Sequence, residues 1–197
     1  MVARMTHRDK RLEQTHFCLG TCGLPVNHPD RYALYILNSV LGGSMSSRLF
    51  QEIREKRGLA YSVYSYLSSY EDAGLFTIYA AVSPKVFTEA IRLTLQVIRK
   101  LKGRGITKKE HHSAVSQIKG GLLLNLESSS SRMSRLAKDE IYFGRYLSVR
   151  ELTHGIEKVK ASQVQCLAQE LFDERNLSLT VLGPVPAKTH FKELLLA

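Results

Sequence analysis

Residues 41–67 read LGGSMSSRLFQEIREKRGLAYSVYSYL, and this run decides the fold. It passes from a glycine loop through a short basic helix into a tyrosine-rich strand. Gly42 and Gly43 reach backbone angles closed to other residues. Ser44, Ser46 and Ser47 each offer a side-chain oxygen to the free N–H groups of a following helix. That helix is expected from about Ser47 to Arg57. Leu49, Phe50 and Ile53 share one face, with Arg54 one turn after Phe50 and Arg57 one turn after Ile53. Gly58 stands where glycine commonly stops a helix. From Leu59 the period becomes two, placing Leu59, Tyr61 and Val63 on one face and Ala60, Ser62 and Tyr64 on the other. Tyr66 and Tyr70 continue the aromatic run.

Upstream, residues 1–12 read as a flexible lead-in. Thr15, Phe17 and Leu19 alternate in a strand over Gln14–Gly20. Pro25, Asn27 and Pro29 mark a loop, and a helix from about Asp30 carries Ala33, Ile36, Leu37, Val40 and Leu41 on one side. Downstream, Leu75–Val82 is a second strand that pairs with the tyrosine strand as a hairpin. Ser83-Pro84 opens a helix with the stripe Phe87, Ala90, Ile91, Thr94, Ile98 and Leu101, ended by Gly103 and Gly105. Thr107 with Glu110, and Ser148 with Glu151, form capping boxes. The helix after Thr107 buries Ala114, Val115, Ile118 and Leu122, and Gly120-Gly121 should weaken or kink it. A break at Ser128–Ser131 precedes a helix with the stripe Met133, Leu136, Ala137 and Ile141. Val164, Leu167, Ala168, Leu171 and Phe172 form the last stripe, and Leu177, Leu179 and Val181 alternate in a final strand. Strands separated by runs of helices predict an α+β domain over residues 13–197, with helices on one face of an antiparallel sheet. The other face is left free to line a cavity.

Composition bounds the function. A chain of 197 residues with 44% hydrophobic and 23% charged residues has the make-up of one globular domain. Lys and Arg total 28 against 18 acids, a net charge of +10. That excess is scattered apart from Arg4, Arg8, Lys10 and Arg11, so nucleic-acid binding is not expected. Three cysteines, Cys18, Cys22 and Cys166, do not make a disulfide framework and read as reduced thiols of a cytoplasmic protein. No window is apolar enough to span a membrane, and no apolar signal segment is visible. There is no Gly-x-Ser-x-Gly elbow, and the loop at Gly42 lacks the Gly-Lys-Ser/Thr ending of a phosphate cradle. The tyrosines have the chemistry to stack bases, but such residues more often fill a sheet face, and here they also suit a peptide groove.

The run GGSMSSRLFQEIREKRGLAYSVYS resembles the C-terminal half of zinc metallopeptidases related to pitrilysin and mitochondrial processing peptidase, the insulinase-type family. EQTHFCLG, HPDRYALYILNSVLGG and GLFTIYAAVSP agree in order. The similarity covers essentially the whole chain, about one half of a full-length member, and implies one half of a clamshell. In that family an Arg and a Tyr seven residues apart reach across to the zinc site of the N-terminal half, where they contact the peptide backbone and the developing oxyanion. Arg54 and Tyr61 stand at that spacing. A guanidinium offers a rigid donor fork to carbonyl oxygens, and a phenol donates to an oxygen gaining charge. From spacing alone Arg54 reads as a solvated helix residue and Tyr61 as a packing aromatic; the resemblance reverses that reading.

The family's zinc motif, His-x-x-Glu-His, is absent. His154 is followed by Glu157 and Lys158, and Thr107–His111 lacks the first ligand, with Glu110 better explained as a cap. His111 and His112 point about 100° apart on a helix, and His16 in a strand reads as a packed or hydrogen-bonded residue. The expectation is therefore no metal in this chain and zinc held by a missing N-terminal half. The implied role is the substrate-positioning, chamber-closing half of a zinc-dependent processing endopeptidase, inactive alone. One alternative is a non-catalytic subunit lending Arg54 and Tyr61 to a zinc-bearing partner; another is a core-subunit-like homologue with no proteolytic role. Expected partners are the zinc-bearing half or subunit, in a homo- or heterodimer, and a peptide substrate. A processing peptidase for basic presequences favours an acidic chamber, which a half carrying +10 opposes unless its charge lies elsewhere.

Overall fold

Thr15, Phe17, Leu19 and Thr21 alternate with His16, Cys18 and Cys22 along one strand, and only the first set is buried. That asymmetry runs through the whole sheet and divides the molecule into a packed side and an open side. The structure is a computed structural model and describes residues 4–186. Residues 187–197, the end of the expected domain, lie outside the described residues, as do residues 1–3 of the expected lead-in.

Among the described residues five strands build the sheet: β1 (Met5–Arg8), β2 (Thr15–Gly23), β3 (Ala60–Ser69), β4 (Gly74–Val82) and β5 (Ser178–Leu182), in the order β1-β5-β2-β4-β3. β2, β3, β4 and β5 pair antiparallel, whereas β1 runs parallel to β5. The lead-in expected over residues 1–12 thus contains an edge strand. Its four residues carry little apolar alternation, and a strand this short is fixed by its neighbour rather than by its own pattern.

The described residues form six α-helices, α1 (Arg31–Leu41), α2 (Phe87–Arg104), α3 (Lys108–Asn125), α4 (Ser129–Phe143), α5 (Val149–Glu157) and α6 (Ala161–Leu171), each where a stripe or a capping box predicts one. The core lies between helices and sheet. Phe87 of α2 meets Phe17 edge-on at 6.0 Å, and Phe172 meets Phe76 edge-on at 5.2 Å. Both geometries suit the ring quadrupoles. The Thr21 hydroxyl, buried on β2, donates to the Leu171 carbonyl at 2.6 Å and so satisfies a polar group inside the core.

Three helix expectations change. α3 continues through Gly120 and Gly121, and its only fully buried residue is Ala114. On α4 the stripe Met133, Leu136, Ala137 and Ile141 faces outward, with Ile141 72% exposed. The inward positions are Arg135 and Asp139, and the Asp139 carboxylate accepts from the Leu147 N–H at 3.2 Å. Periodicity identified this helix but not the side that its neighbours cover. At α5, Ser148 caps the Glu151 N–H, but the Glu151 carboxylate turns to Arg145 at 2.5 Å, leaving half a capping box.

The loop at Gly42 is a packing contact. Its carbonyl accepts from the Ser65 N–H of β3 at 3.1 Å, and a Cβ placed on Gly42 would stand 2.5 Å from that same nitrogen. Gly42→Ala therefore forces α1 and β3 apart. The expected loss is about 1–3 kcal/mol, as for other overpacked interiors, read from the midpoint of a denaturant titration. An unchanged midpoint contradicts the contact.

Candidate functional site

The β3–β4 register jumps at Tyr61. Ala60 pairs with Val82 and Ser62 with Ala81, so Tyr61 is an extra residue with no partner on β4. This is a β-bulge, a device that bends a strand and re-aims a side chain. It overturns the expected alternation. Ala60, Val63 and Ser65 turn into the core, while Tyr61 shares the open side with Tyr64 and Tyr66 and is 78% exposed. Nothing in a period-two pattern marks where one residue is inserted.

Arg54 arrives from the other direction. The segment Phe50–Glu55 is wound as a π-helix rather than the expected α-helix, with the Lys56 N–H donating to the Gln51 carbonyl at 3.0 Å. Such turns are rare and often occur at functional sites. None of the three serines caps it; the segment starts without a side-chain cap and the Ser47 hydroxyl is buried without a partner. Leu49 and Ile53 are fully buried and anchor the segment, as their shared face predicts. The Arg54 guanidinium then lies 4.9 Å from the centre of the Tyr61 ring and 4.8 Å from that of Phe50. A cation over a ring face is attracted by the quadrupole, and the stack also fixes the fork's plane.

The two arginines of this segment are in different situations. Arg57 donates to the Glu52 carboxylate at 2.7 Å and to its carbonyl at 3.0 Å. Lys56 bonds the same carboxylate at 2.5 Å, and the two cations, Lys56 first, hold the Glu52 carboxyl below its usual range. Arg54 has no ion pair and no hydrogen bond from its guanidinium among the described residues. Its donors remain available to an incoming acceptor.

A third arginine, unremarked in the sequence, ties this segment to the helices. Arg48 makes a bidentate pair with Glu110, Nε to Oε1 at 2.7 Å and Nη2 to Oε2 at 2.8 Å, and Nη2 also reaches the Gly105 carbonyl at 2.8 Å. Glu110 completes the capping box with Thr107. Arg48 foremost, assisted by the Thr107 N–H, holds the Glu110 carboxyl down to about 2. A depressed carboxyl stabilises the fold above its unfolded value near 4.5, and that contribution is lost as pH falls toward about 2. The difference in melting temperature between the parent and Glu110→Gln should thus be full above pH 4.5 and shrink between pH 4.5 and 2. A pH-independent difference over that window contradicts the pairing.

The open side of the sheet carries the remaining groups in cross-strand rows. Cys18 stands opposite Tyr79, which stands opposite Tyr64, and Gly20, Thr77 and Tyr66 form the next row. His16 stacks on Tyr79, and its Nδ1 shares a 2.8 Å hydrogen bond with the Tyr79 hydroxyl. His16 is thus the hydrogen-bonded strand residue expected. Its partner was not foreseen, although both sit on open-side positions of paired strands. His111, on α3, is 2.8 Å from the Val159 carbonyl through Nε2. Among the described residues no group of three or more His, Cys, Asp or Glu is placed to hold a metal ion, so the residues present do not fit a zinc site. Cys18, Cys22 and Cys166 form no disulfide among the described residues, and no helix among the described residues is long and apolar enough to cross a membrane.

Comparison with known proteins gives the family and the fold. Residues 3–118 match the family model described as the peptidase M16 inactive domain. The chain belongs to the M16 peptidase family. It is 45% identical over 177 residues to an uncharacterized zinc protease of Bacillus subtilis, covering 90% of this chain and 43% of that protein. It is 42% identical over 196 residues to one of Mycobacterium bovis, covering 98% of this chain and 44% of that one. This M16 chain therefore spans less than half the length of these relatives. The crystal structure of an M16 inactive domain from Pseudomonas fluorescens superposes with a TM-score of 0.84 at 24% identity, over 95% of this chain and 45% of that one. A chain of complex III from Candida albicans gives 0.84 at 19% identity, over 99% and 49%. Both superpositions show a shared fold.

Proposed function

We propose that this chain is the substrate-positioning half of a zinc-dependent endopeptidase, whose zinc is held by another half. The observation that carries the reading is the unpaired Arg54 fork stacked on Tyr61 at a bulge on the rim of an open sheet. In this reading Arg54 donates to backbone carbonyls of an extended peptide. The Tyr61 hydroxyl, which has no hydrogen bond among the described residues, donates to the oxygen that gains charge during cleavage. Relatives called zinc proteases with about twice this length favour a zinc-bearing half in the same polypeptide over a separate subunit. The outward stripe of α4, with Leu123 and Leu124 of α3 also exposed, supports contact with another half or subunit. A scaffold role alone gives the half-buried Arg54 and the exposed Tyr61 no task.

Hydrogen bonds that strengthen in the transition state act on turnover. In the full-length protein, Tyr61→Phe should lower kcat by about 10²–10³, the usual loss for one oxyanion donor, with zinc content and melting temperature unchanged. Arg54→Lys keeps the charge but loses the planar fork and should fail as well. Arg57→Ala, already committed to Glu52, should change activity only a few-fold. A near-normal kcat in Tyr61→Phe, or equal damage in Arg57→Ala and Arg54→Lys, removes the assignment.

A further inference from the structure

We propose that the open face of the sheet is a binding subsite for uncharged apolar and aromatic side chains of an extended peptide, continuous with Arg54 and Tyr61. The proposal rests on the peptide-handling reading above and adds the class of substrate.

The first observation is the placement of charge. The chain carries +10, yet the open-side positions of β2, β3, β4 and β5 hold no Asp, Glu, Lys or Arg. Arg8 shares a register position with Leu182 on β1, at the edge opposite β3. Apart from Arg8, the cations among the described residues belong to helices and loops. Burial pushes the Cys18 thiol and the Tyr79 phenol up, so neither adds a negative charge to the face. A lysine or arginine of a peptide laid here would lose hydration without meeting a carboxylate, within the positive field of the surrounding chain. An acidic side chain would lose hydration too, with cations only at the two edges of the face, Arg54 beside β3 and Arg8 on β1. Uncharged side chains avoid both penalties.

The second observation is a platform of rings. Tyr64 and Tyr79 lie 5.0 Å apart between centroids, Tyr64 and Tyr66 6.0 Å, and His16 and Tyr79 6.1 Å. The His16–Tyr79 hydrogen bond pins one end. Tyr64 is 42% and Tyr66 41% exposed, so ring surface stays wet. Aromatic side chains that are already held lose little conformational freedom when a partner covers them. Neighbouring strands are spaced by about 4.8 Å, so the charge-free rows from β3 to β5 span about 14 Å, the reach of roughly four extended residues. Tyr61, on the same strand as Tyr64 and Tyr66, joins this platform to the Arg54 fork.

The chain contains no Trp, so a short capped peptide with one Trp supplies the only indole in a binding titration. Three such peptides test the face: one with Leu and Phe flanking the Trp, one with those positions changed to Lys, and one with them changed to Glu. The Leu/Phe peptide should bind tightest, and Tyr64→Ser should weaken it about tenfold, as for truncation of an aromatic anchor, with the melting temperature retained. Tyr79→Phe, which keeps the ring and loses the bond to His16, should weaken it less. Equal binding of the Lys or Glu peptide, or unchanged binding in Tyr64→Ser, overturns the subsite. So does a dimer in sedimentation that Tyr64→Ser dissolves and the Leu/Phe peptide does not, since the face is then an interface between copies. Loss of turnover in Tyr61→Phe with unchanged binding in Tyr64→Ser removes the subsite alone. The expected peptide preference with normal turnover in Tyr61→Phe removes the Arg54–Tyr61 role and leaves the subsite standing.

Discussion

One inserted residue sets the geometry of this chain. Without the bulge at Tyr61, strict alternation would carry Tyr61 to the side of Val63, into the helix-covered core, and leave Arg54 with the Phe50 ring alone. With it, the strand keeps Val63 and Ser65 in the core and turns three tyrosines to the open side. A bulge costs one ladder pairing. The surrounding packing repays it: β4 pairs with β3 on one side and β2 on the other, and Ile78, Ala80 and Val82 are buried beneath.

The bulge is useful only if Arg54 comes to the right place, and that depends on contacts distant from it in sequence. Arg48 clamps the start of the segment to Glu110 and Gly105, between α2 and α3. Ile53 plugs the core, and Gly58, at φ 61°, lets the chain leave the π-helix for β3. Charge is sorted along the same line. Arg48 and Arg57 are satisfied by carboxylates, Arg54 is left to the open side, and the rows beyond it are neutral. The positive charge that would oppose a basic peptide thus lies off the rows of β2, β3, β4 and β5, with Arg8 at the far edge on β1, and those rows hold no acidic group to attract one.

Much of this was legible in the chain itself. The buried faces of β2, α1, α2 and α6 follow simple periods because each has one side against the core. The Thr107–Glu110 box was readable because capping is local. The family and the Arg54–Tyr61 spacing were carried by the motif around Gly42 to Ser65. What escaped depends on non-local contacts. β1 exists because β5 offers it an edge; α4 turns its apolar stripe outward because Arg135 and Asp139 engage the loop at Leu147. The bulge and the π-turn are each a shift of one residue, below what apolar spacing resolves.

The central claim is that Arg54 and Tyr61 act as one unit on the same bound peptide. A double-mutant cycle on kcat/KM in the full-length protein, with Arg54→Lys, Tyr61→Phe and the double variant, measures this directly. The account predicts strong non-additivity, the double variant losing little more than the worse single variant, as for residues that act together. Losses that multiply would show two independent residues and contradict it.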